Sequence, residues 1–389
     1  MPFFSILLPT KNRSHLVGFA IRSVMQQGFD DFEIIVCDND DDELATKSVV
    51  QHFDDNRIKY IRTGGLDMIS NWNTALAAST GDNITVLEDK MIFYPDALFE
   101  IKKKIEESPA GVVVWNSDVF DDNHVPNRLV QFVPAGQSQI TSSQVLELIT
   151  KDVLKYWGWL PRGLSCSVPK RVVKNITEKY GSSYFEFASP DFVSAIKLLS
   201  DVEEILFIFK AYTLVGAASM STGNNALSGK DSALRYYSGS KTVRLSNDLV
   251  PVKSTSIVVT GIVNDFRRIA AENGGNIRGY TIDNKNYVKM MTRELLVSTF
   301  VAKKVLWDKT ALMQLISSEG QVFRNLFYMS SYTVRFIADQ VLKKIGFHTM
   351  PQKTKTSLID GAPLDKLESF LSGKADLGNV KSFSPTHGG

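Results

Sequence analysis

Residues 83–90 read Asn83-Ile84-Thr85-Val86-Leu87-Glu88-Asp89-Lys90, a short apolar run that ends in two carboxylates and an ammonium. Ile84 to Leu87 has the length and content of a buried strand. Gly81 and Asp82 mark the turn that precedes it. In an open α/β sheet, ligands bind outside the carboxyl ends of the strands. A strand that releases Glu88, Asp89 and Lys90 at that end therefore marks both a fold class and a site.

The flanking sequence repeats the alternation. Strands are expected at Phe3–Leu8, Phe32–Cys37, Ile58–Ile61, Asn83–Leu87 and Gly111–Trp115. Helices are expected between them at His15–Gln27, Glu43–Phe53, Met68–Ser79 and Asp96–Ser108. Strands separated by helical patterns imply βαβ units and a largely parallel sheet. Right-handed crossovers then bring the strand ends to one edge. From Asp118 to Gln139, frequent Asp, Asn, Pro and Gly predict a loop or an irregular hairpin. Helical patterns return at Ser142–Lys151, Pro169–Tyr180 and Pro190–Ser200, and Ile205–Phe209 reads as a strand. Ser219–Ser240 has linker composition. Long helices are expected at Ser256–Asn273, Lys285–Ser317 and Gln321–Gly346, and the tail from Pro351 is expected to be poorly ordered at its end. There is no internal repeat.

The chain has 389 residues, enough for two domains or a large one with an appendage. A hydrophobic fraction of 43% with 22% charged residues places it among globular proteins and away from disordered ones. The two cysteines, Cys37 and Cys166, offer no disulfide framework, and a cytoplasmic setting is the expectation. The N-terminal apolar run reads as a first strand, not a secretory leader. Ile205–Ala218 contains Lys210 and falls short of a membrane span. The net charge of +2 hides an asymmetry: residues 1–222 carry −8 and residues 223–389 carry +10. The basic half suggests an anionic surface opposite it, or ordinary surface variation.

Four polar segments should meet at the same sheet edge. They are Pro9-Thr10-Lys11-Asn12-Arg13 after the first strand, Asp38-Asn39-Asp40 after the second, Asn71-Trp72-Asn73 in a helix, and Glu88-Asp89-Lys90 after the fourth. Each has a simpler reading. Asp38-Asn39-Asp40 has turn composition, Asn73 could cap or pack, and Trp72 could pack on the sheet. Their joint placement carries more weight than any one of them.

Three of these segments together resemble the family 2 glycosyltransferases of GT-A fold. They are Ser5-Ile6-Leu7-Leu8-Pro9-Thr10-Lys11-Asn12-Arg13, Phe32-Glu33-Ile34-Ile35-Val36-Cys37-Asp38-Asn39, and Asn71-Trp72-Asn73-Thr74-Ala75-Leu76 followed by Thr80-Gly81-Asp82. The resemblance covers roughly residues 3–220. It implies an α/β fold with a mostly parallel central sheet flanked by helices, residues 1–222 as the catalytic domain, and residues 223–389 as a mainly helical C-terminal region. It implies an enzyme moving a sugar from a nucleotide-diphosphate sugar, UDP most of all, to a hydroxyl of a glycan or lipid-linked acceptor, as in surface polysaccharide synthesis. It also implies that Pro9, Thr10, Asn12 and Arg13 line the nucleotide site, that Asp38 accepts hydrogen bonds from the base, and that Asn73, Glu88 and Asp89 lie near the nucleotide-sugar.

One position departs from the family. Counted back from Pro95, Lys90 stands where a metal-binding Asp is expected. Mg²⁺ or Mn²⁺ leans on hard carboxylate oxygens, which Asp89 or Glu88 could still supply. The Lys90 ammonium could instead meet the diphosphate as a fixed point charge. Metal dependence is therefore open, with a non-catalytic nucleotide- or glycan-binding protein as the alternative to an enzyme. A sugar nucleotidyltransferase would need a glycine-rich loop after the first strand, and Pro9–Arg13 has no glycine.

The expected general base is Asp191, with Glu186 in reserve. Ser189-Pro190-Asp191 reads as N-cap, first-position Pro and a first-turn carboxylate. The simpler reading of Asp191 is a helix-stabilising acid. Trp157-Gly158-Trp159-Leu160-Pro161-Arg162-Gly163 is the expected acceptor side, through Trp159 and Arg162, or else part of the core. Gln321–Gly346 carries Phe323, Leu326, Phe327, Val334, Ile337, Val341 and Leu342 with Arg324, Arg335, Lys343 and Lys344. This pattern suits a helix packed on the protein, or one lying peripherally on an anionic membrane. No nucleic-acid partner is expected.

Overall fold

The computed structural model describes residues 1–108, 111–122, 127–186, 189–216, 248–253, 258–297, 309–344, 354–359 and 381–382. The first half alternates as expected. β1 (Phe4–Thr10), β2 (Phe32–Asp38), β3 (Ile58–Arg62) and β4 (Asn83–Val86) alternate with α1 (Ser14–Met25), α2 (Ala45–Gln51) and α3 (Met68–Ala78). These strands pair in parallel in the order β4-β1-β2-β3. Thr10 lies beside Asp38, and Asp38 beside Arg62, so three strands end at one level. Every residue of β1, β2 and β4 is buried, as a sheet covered on both faces requires.

β5 (Met91–Phe93) follows the charged turn directly and leads to α4 (Ala97–Glu107) and β6 (Val113–Asp121). β7 (Asn127–Phe132) folds back antiparallel on β6, and β8 (Gln137–Thr141) pairs instead with β10 (Glu204–Val215). Of the two readings of 118–139, the irregular hairpin is the one seen in the β6–β7 pair. α5 (Ser142–Tyr156) opens with a capping box between Thr141 and Gln144. β9 (Cys166–Pro169) inserts antiparallel between β4 and β6. α6 (Lys170–Tyr180) and α7 (Pro190–Asp201) complete this half.

The second half begins, among the described residues, with α8 (Val258–Asn273) and α9 (Asn284–Leu296). Of the expected helix Lys285–Ser317, α9 and α10 (Lys309–Ile316) are described, and residues 298–308 lie outside the described residues. α11 (Val322–Lys344) follows a break at Glu319 and Gly320, both with positive φ. A strand, β11 (Thr354–Ile359), pairs antiparallel with β7, and β12 (Lys381–Ser382) with β11, so part of the tail joins the sheet. The expected boundary at residue 222 and the linker Ser219–Ser240 lie outside the described residues.

One apolar cluster runs from Val145, Ile149 and Leu198 through Val259, Ile262 and Tyr287 to Leu315. Polar contacts reinforce it. Arg293 Nη1 lies 2.9 Å from Asp152 Oδ2, and the Asn276 side-chain amide donates to the Leu199 and Val202 carbonyls. The buried Glu294 carboxylate accepts from the Val258 and Val259 amides at 2.8 and 2.9 Å, capping α8.

The strand ends opposite Asp38 are closed by a polar knot. Glu33 accepts from Ser5 Oγ at 2.6 Å, from Thr80 N at 2.5 Å and from Lys59 Nζ at 2.6 Å. Burial works against its ionisation, but the Lys59, Ser5 and Thr80 contacts prevail and hold the carboxyl down at about 2. Gly81 is pressed against the backbone of Phe4 and Ser5, where an added Cβ would stand 2.8 Å away. Neither backbone can yield without shifting β1. Gly81→Ala is therefore expected to lower the unfolding free energy by about 2 kcal/mol in urea denaturation. An unchanged midpoint would show that β1 is free to move.

Candidate active site

The charged turn is built as the sequence suggests. Leu87 N donates to Leu7 O, so β4 runs beside β1 up to the turn. Met91 N closes it onto Glu88 O. Asp89 then points back across the sheet edge to the loop after β1. Thr10 Oγ1 donates to Asp89 Oδ2 at 2.9 Å, and Arg13 Nη1 donates to Oδ1 at 3.0 Å. Asp89 is almost fully buried; burial pushes its carboxyl up, and Glu88 adds to this against the pull of Arg13 and Thr10.

Glu88 turns the other way. Its Oε2 lies 2.9 Å from Lys90 Nζ, and the Lys90 side chain is only 7% exposed. Burial opposes ionisation of Glu88, but Lys90, with Arg13 and Arg162, outweighs it and holds the carboxyl below its usual range. The third pair is Arg162 Nη1 to Asp191 Oδ2 at 3.1 Å. The Arg162 guanidinium lies over the Trp157 ring at 4.3 Å and over Phe192 at 5.3 Å. Its Nε is buried with no hydrogen-bond partner. Asp191 sits in the first turn of α7 behind Pro190, but Ser189 makes no side-chain cap. Burial pushes the Asp191 carboxyl up, Arg162 opposes this, and the nearby Glu88 adds to it.

Arg13, Lys90 and Arg162 thus alternate with Glu88, Asp89 and Asp191 in one neutral cluster at the sheet edge. Four separate segments supply it. Such burial of paired, pKa-shifted groups is a mark of functional sites.

The remaining expected residues are differently placed. Pro9 is buried in β1 beside Cys37. Asn12, at φ 55°, exchanges side-chain hydrogen bonds with Asp41 at 2.7 and 2.8 Å, linking the loops after β1 and β2. The Asn12 backbone N–H also donates to Asp40 Oδ1. Asp38 is 0% exposed and enclosed: Tyr60 Oη donates at 2.6 Å, Arg62 Nη1 at 3.1 Å and Asp40 N at 2.9 Å. These donors enclose the carboxylate at the place where the resemblance implies a contact with the base. The sequence reading passed over Tyr60 and Arg62, which carry no motif. Their signal is positional, since both lie on the strand next to Asp38.

Asn73 stands outside the cluster. Its amide donates to the Phe185 and Ile69 carbonyls at 2.9 and 3.1 Å, tying α3 to the segment before α7. It lines a separate cavity of about 460 Å³ with Leu76, Thr177 and Tyr184. Glu186, the reserve base, pairs with the buried Lys197. Trp159 packs against Phe207 and Phe209 at 5.0 and 5.7 Å, half-buried against the core. The exposed aromatic of that segment is Trp157, 45% accessible, with Arg162 against it.

A divalent cation does not fit this donor set as it stands. Both Asp89 oxygens are engaged, Glu88 holds Lys90, and two protein cations already neutralise the pair. Among the described residues no group of three or more His, Cys, Asp or Glu side chains is arranged around a metal position.

Residues 5–163 match the model of glycosyl transferase family 2. Over 116 residues the chain is 38% identical to GalNAc(5)-diNAcBac-PP-undecaprenol beta-1,3-glucosyltransferase of Campylobacter jejuni, covering 29% of this chain and 37% of the relative. Over 127 residues it is 26% identical to an Escherichia coli UDP-Glc:alpha-D-GlcNAc-diphosphoundecaprenol beta-1,3-glucosyltransferase, covering 32% and 50%. These matches span half or less of the relatives' length. The structure of S. aureus TarS 1–349 in complex with UDP-GlcNAc is 14% identical, with a TM-score of 0.53 over 93% of this chain and 98% of that one, which is a likeness of fold. Residues 5–163, in which β1, β2 and β4 converge on one charged edge, are thus similar in sequence to glycosyl transferase family 2.

Proposed function

We propose that this chain is an inverting glycosyltransferase that moves a hexose, glucose by analogy with its relatives, from a UDP-sugar to a hydroxyl of a lipid-linked glycan in surface polysaccharide synthesis. The observation that carries the reading is the six-residue ion-pair cluster at the strand ends. It sets a carboxylate able to act as base, Asp191, close enough to Glu88 and Arg162 to share their field. Two relatives named as glucosyltransferases on undecaprenol diphosphate acceptors support the donor and acceptor classes.

In this reading Thr10, Asn12 and Arg13 border the nucleotide, and the diphosphate meets Arg13 and Lys90. The Asp191 carboxylate takes the proton of the acceptor hydroxyl. The acceptor oxygen bonds to the anomeric carbon as the bond from that carbon to the diphosphate oxygen breaks, with inversion. Charge developing on the diphosphate is met by Lys90, a cation already held in a buried place. Arg162 orients Asp191, and its free Nε is a donor left for a substrate oxygen. The acceptor's lipid puts the reaction at a membrane surface. The buried free thiols Cys37 and Cys166 suit a reducing compartment and a place on the cytoplasmic face.

Three outcomes test this. Asp191→Asn should cut kcat roughly 10²- to 10⁴-fold with UDP binding nearly intact; undiminished turnover would remove Asp191 as base. The acid limb of kcat/KM should lie above the ordinary carboxylate range, because activity is lost as pH falls through a raised Asp191 pKa. Arg162→Gln should move that limb to still higher pH, and a limb that stays in place would separate Arg162 from Asp191. Transfer should persist in EDTA, and Lys90→Gln should lower kcat by about 10²-fold or more without rescue by Mn²⁺. Full dependence on added Mn²⁺ would refute the role of Lys90.

A further inference from the structure

α11 is apolar on two sides: Tyr328 and Met329 pack inward on the apolar cluster, and a second apolar row faces outward. Its inward side carries Asn325, which is 0% exposed. The Asn325 amide donates to Ser318 O at 2.9 Å, Ser318 Oγ at 3.0 Å and Ile316 O at 3.0 Å, and its oxygen accepts from Asn284 Nδ2 at 2.9 Å. This knot fixes the helix on α9 and α10. The outward side carries Phe323 at 89%, Phe327 at 68%, Val334 at 68%, Ile337 at 51% and Leu326 at 41% exposure.

These five recur at spacings of three, four and seven, so they share one stripe of the helix. The stripe is too large and contiguous to be scattered surface apolarity. No helix among the described residues is long and apolar enough to cross a membrane, so the stripe is not part of a span.

Cations gather beside it. Arg324 and Arg335 are exposed on α11 at the edge of the stripe. Arg335 lies near Lys289 of α9, and Lys285 is close by. Burial first, then these two charges, push the Lys289 ammonium down, with only Asp283 opposing. Exposed Phe and aliphatic side chains bordered by Arg and Lys are the signature of a helix lying in the headgroup layer of an anionic membrane. A second copy of this chain would bring the same cations against these, which disfavours a self-complementary contact at this face.

We infer that the Phe323–Ile337 face of α11 docks the protein peripherally on an anionic lipid surface, with the apolar stripe inserted and Arg324, Arg335 and Lys289 facing the headgroups. The inference stands on this face alone and not on the transferase reading.

The test is vesicle co-sedimentation of the full chain. One preparation is pure phosphatidylcholine and the other is equal parts phosphatidylcholine and phosphatidylglycerol. Binding is expected to the second, to weaken with ionic strength, and to fall about tenfold or more in Phe323→Ser/Phe327→Ser. Arg324→Glu/Arg335→Glu should lose the phosphatidylglycerol preference. All four side chains are exposed, so folding should survive, as circular dichroism would verify. UDP binding should be unchanged in both variants. Equal binding of wild type and the Phe variant, or no binding by wild type, would overturn the inference. So would a wild-type oligomer that the Phe variant converts to monomer without any vesicle binding.

Discussion

The Asp89 carboxylate, held between Thr10 and Arg13, is the contact on which the site depends. It joins the turn after β4 to the loop after β1 across a sheet edge, with both of its oxygens used. A buried carboxylate tolerates that position only while its partners stay in place, because removing either would strand a charge out of water. The consequence reaches beyond the pair. With Asp89 turned toward Arg13, Glu88 is left to face Lys90, and this pair in turn faces Arg162 and Asp191. The order of the three ion pairs follows from the direction of one side chain.

The strand ends come to one level because β1, β2 and β3 are in parallel register, and that much was readable from alternating apolar runs. Each four- to seven-residue buried stretch carries its own signal. The misses share a cause. β9 has four residues and exists because β4 and β6 both pair with it; no periodicity announces such a strand. β10 outruns the expected Ile205–Phe209 because its first part pairs with β8 and its last part with β5, with register shifts around Ala211. Lys210 interrupts the apolar pattern but remains in the strand, its ammonium 2.6 Å from Glu100. Tertiary pairing overrode local sequence in each case.

Site residues divide along the same line. Thr10, Arg13, Glu88, Asp89 and Lys90 follow strands directly, and the fold carries them to the edge whatever lies around them. Asn73 and Trp159 belong to a helix and a 3₁₀ turn, where one residue's rotation decides which neighbour it meets. Asn73 meets the Phe185 backbone and Trp159 the core. Asp38 is in the expected place but enclosed, because Tyr60 and Arg62 arrive from β3. A sequence motif names the carboxylate and says nothing of the donors that surround it.

The neutrality of the cluster bears on how a diphosphate could be held on the proposed reading. Three cations and three carboxylates leave no net charge for an entering anion to meet. Binding must therefore exchange partners: an oxygen of the diphosphate takes up a cation while its carboxylate is released or protonated. Glu88–Lys90 is the pair best suited to this. Glu88 is partly exposed, whereas Asp89 is locked by two donors and Asp191 is needed on the acceptor side. The cost of separating Glu88 from Lys90 would be recovered only where charge on the diphosphate is greatest, as the sugar departs. A lysine released from a carboxylate favours the transition state selectively, and that selectivity is what catalysis requires.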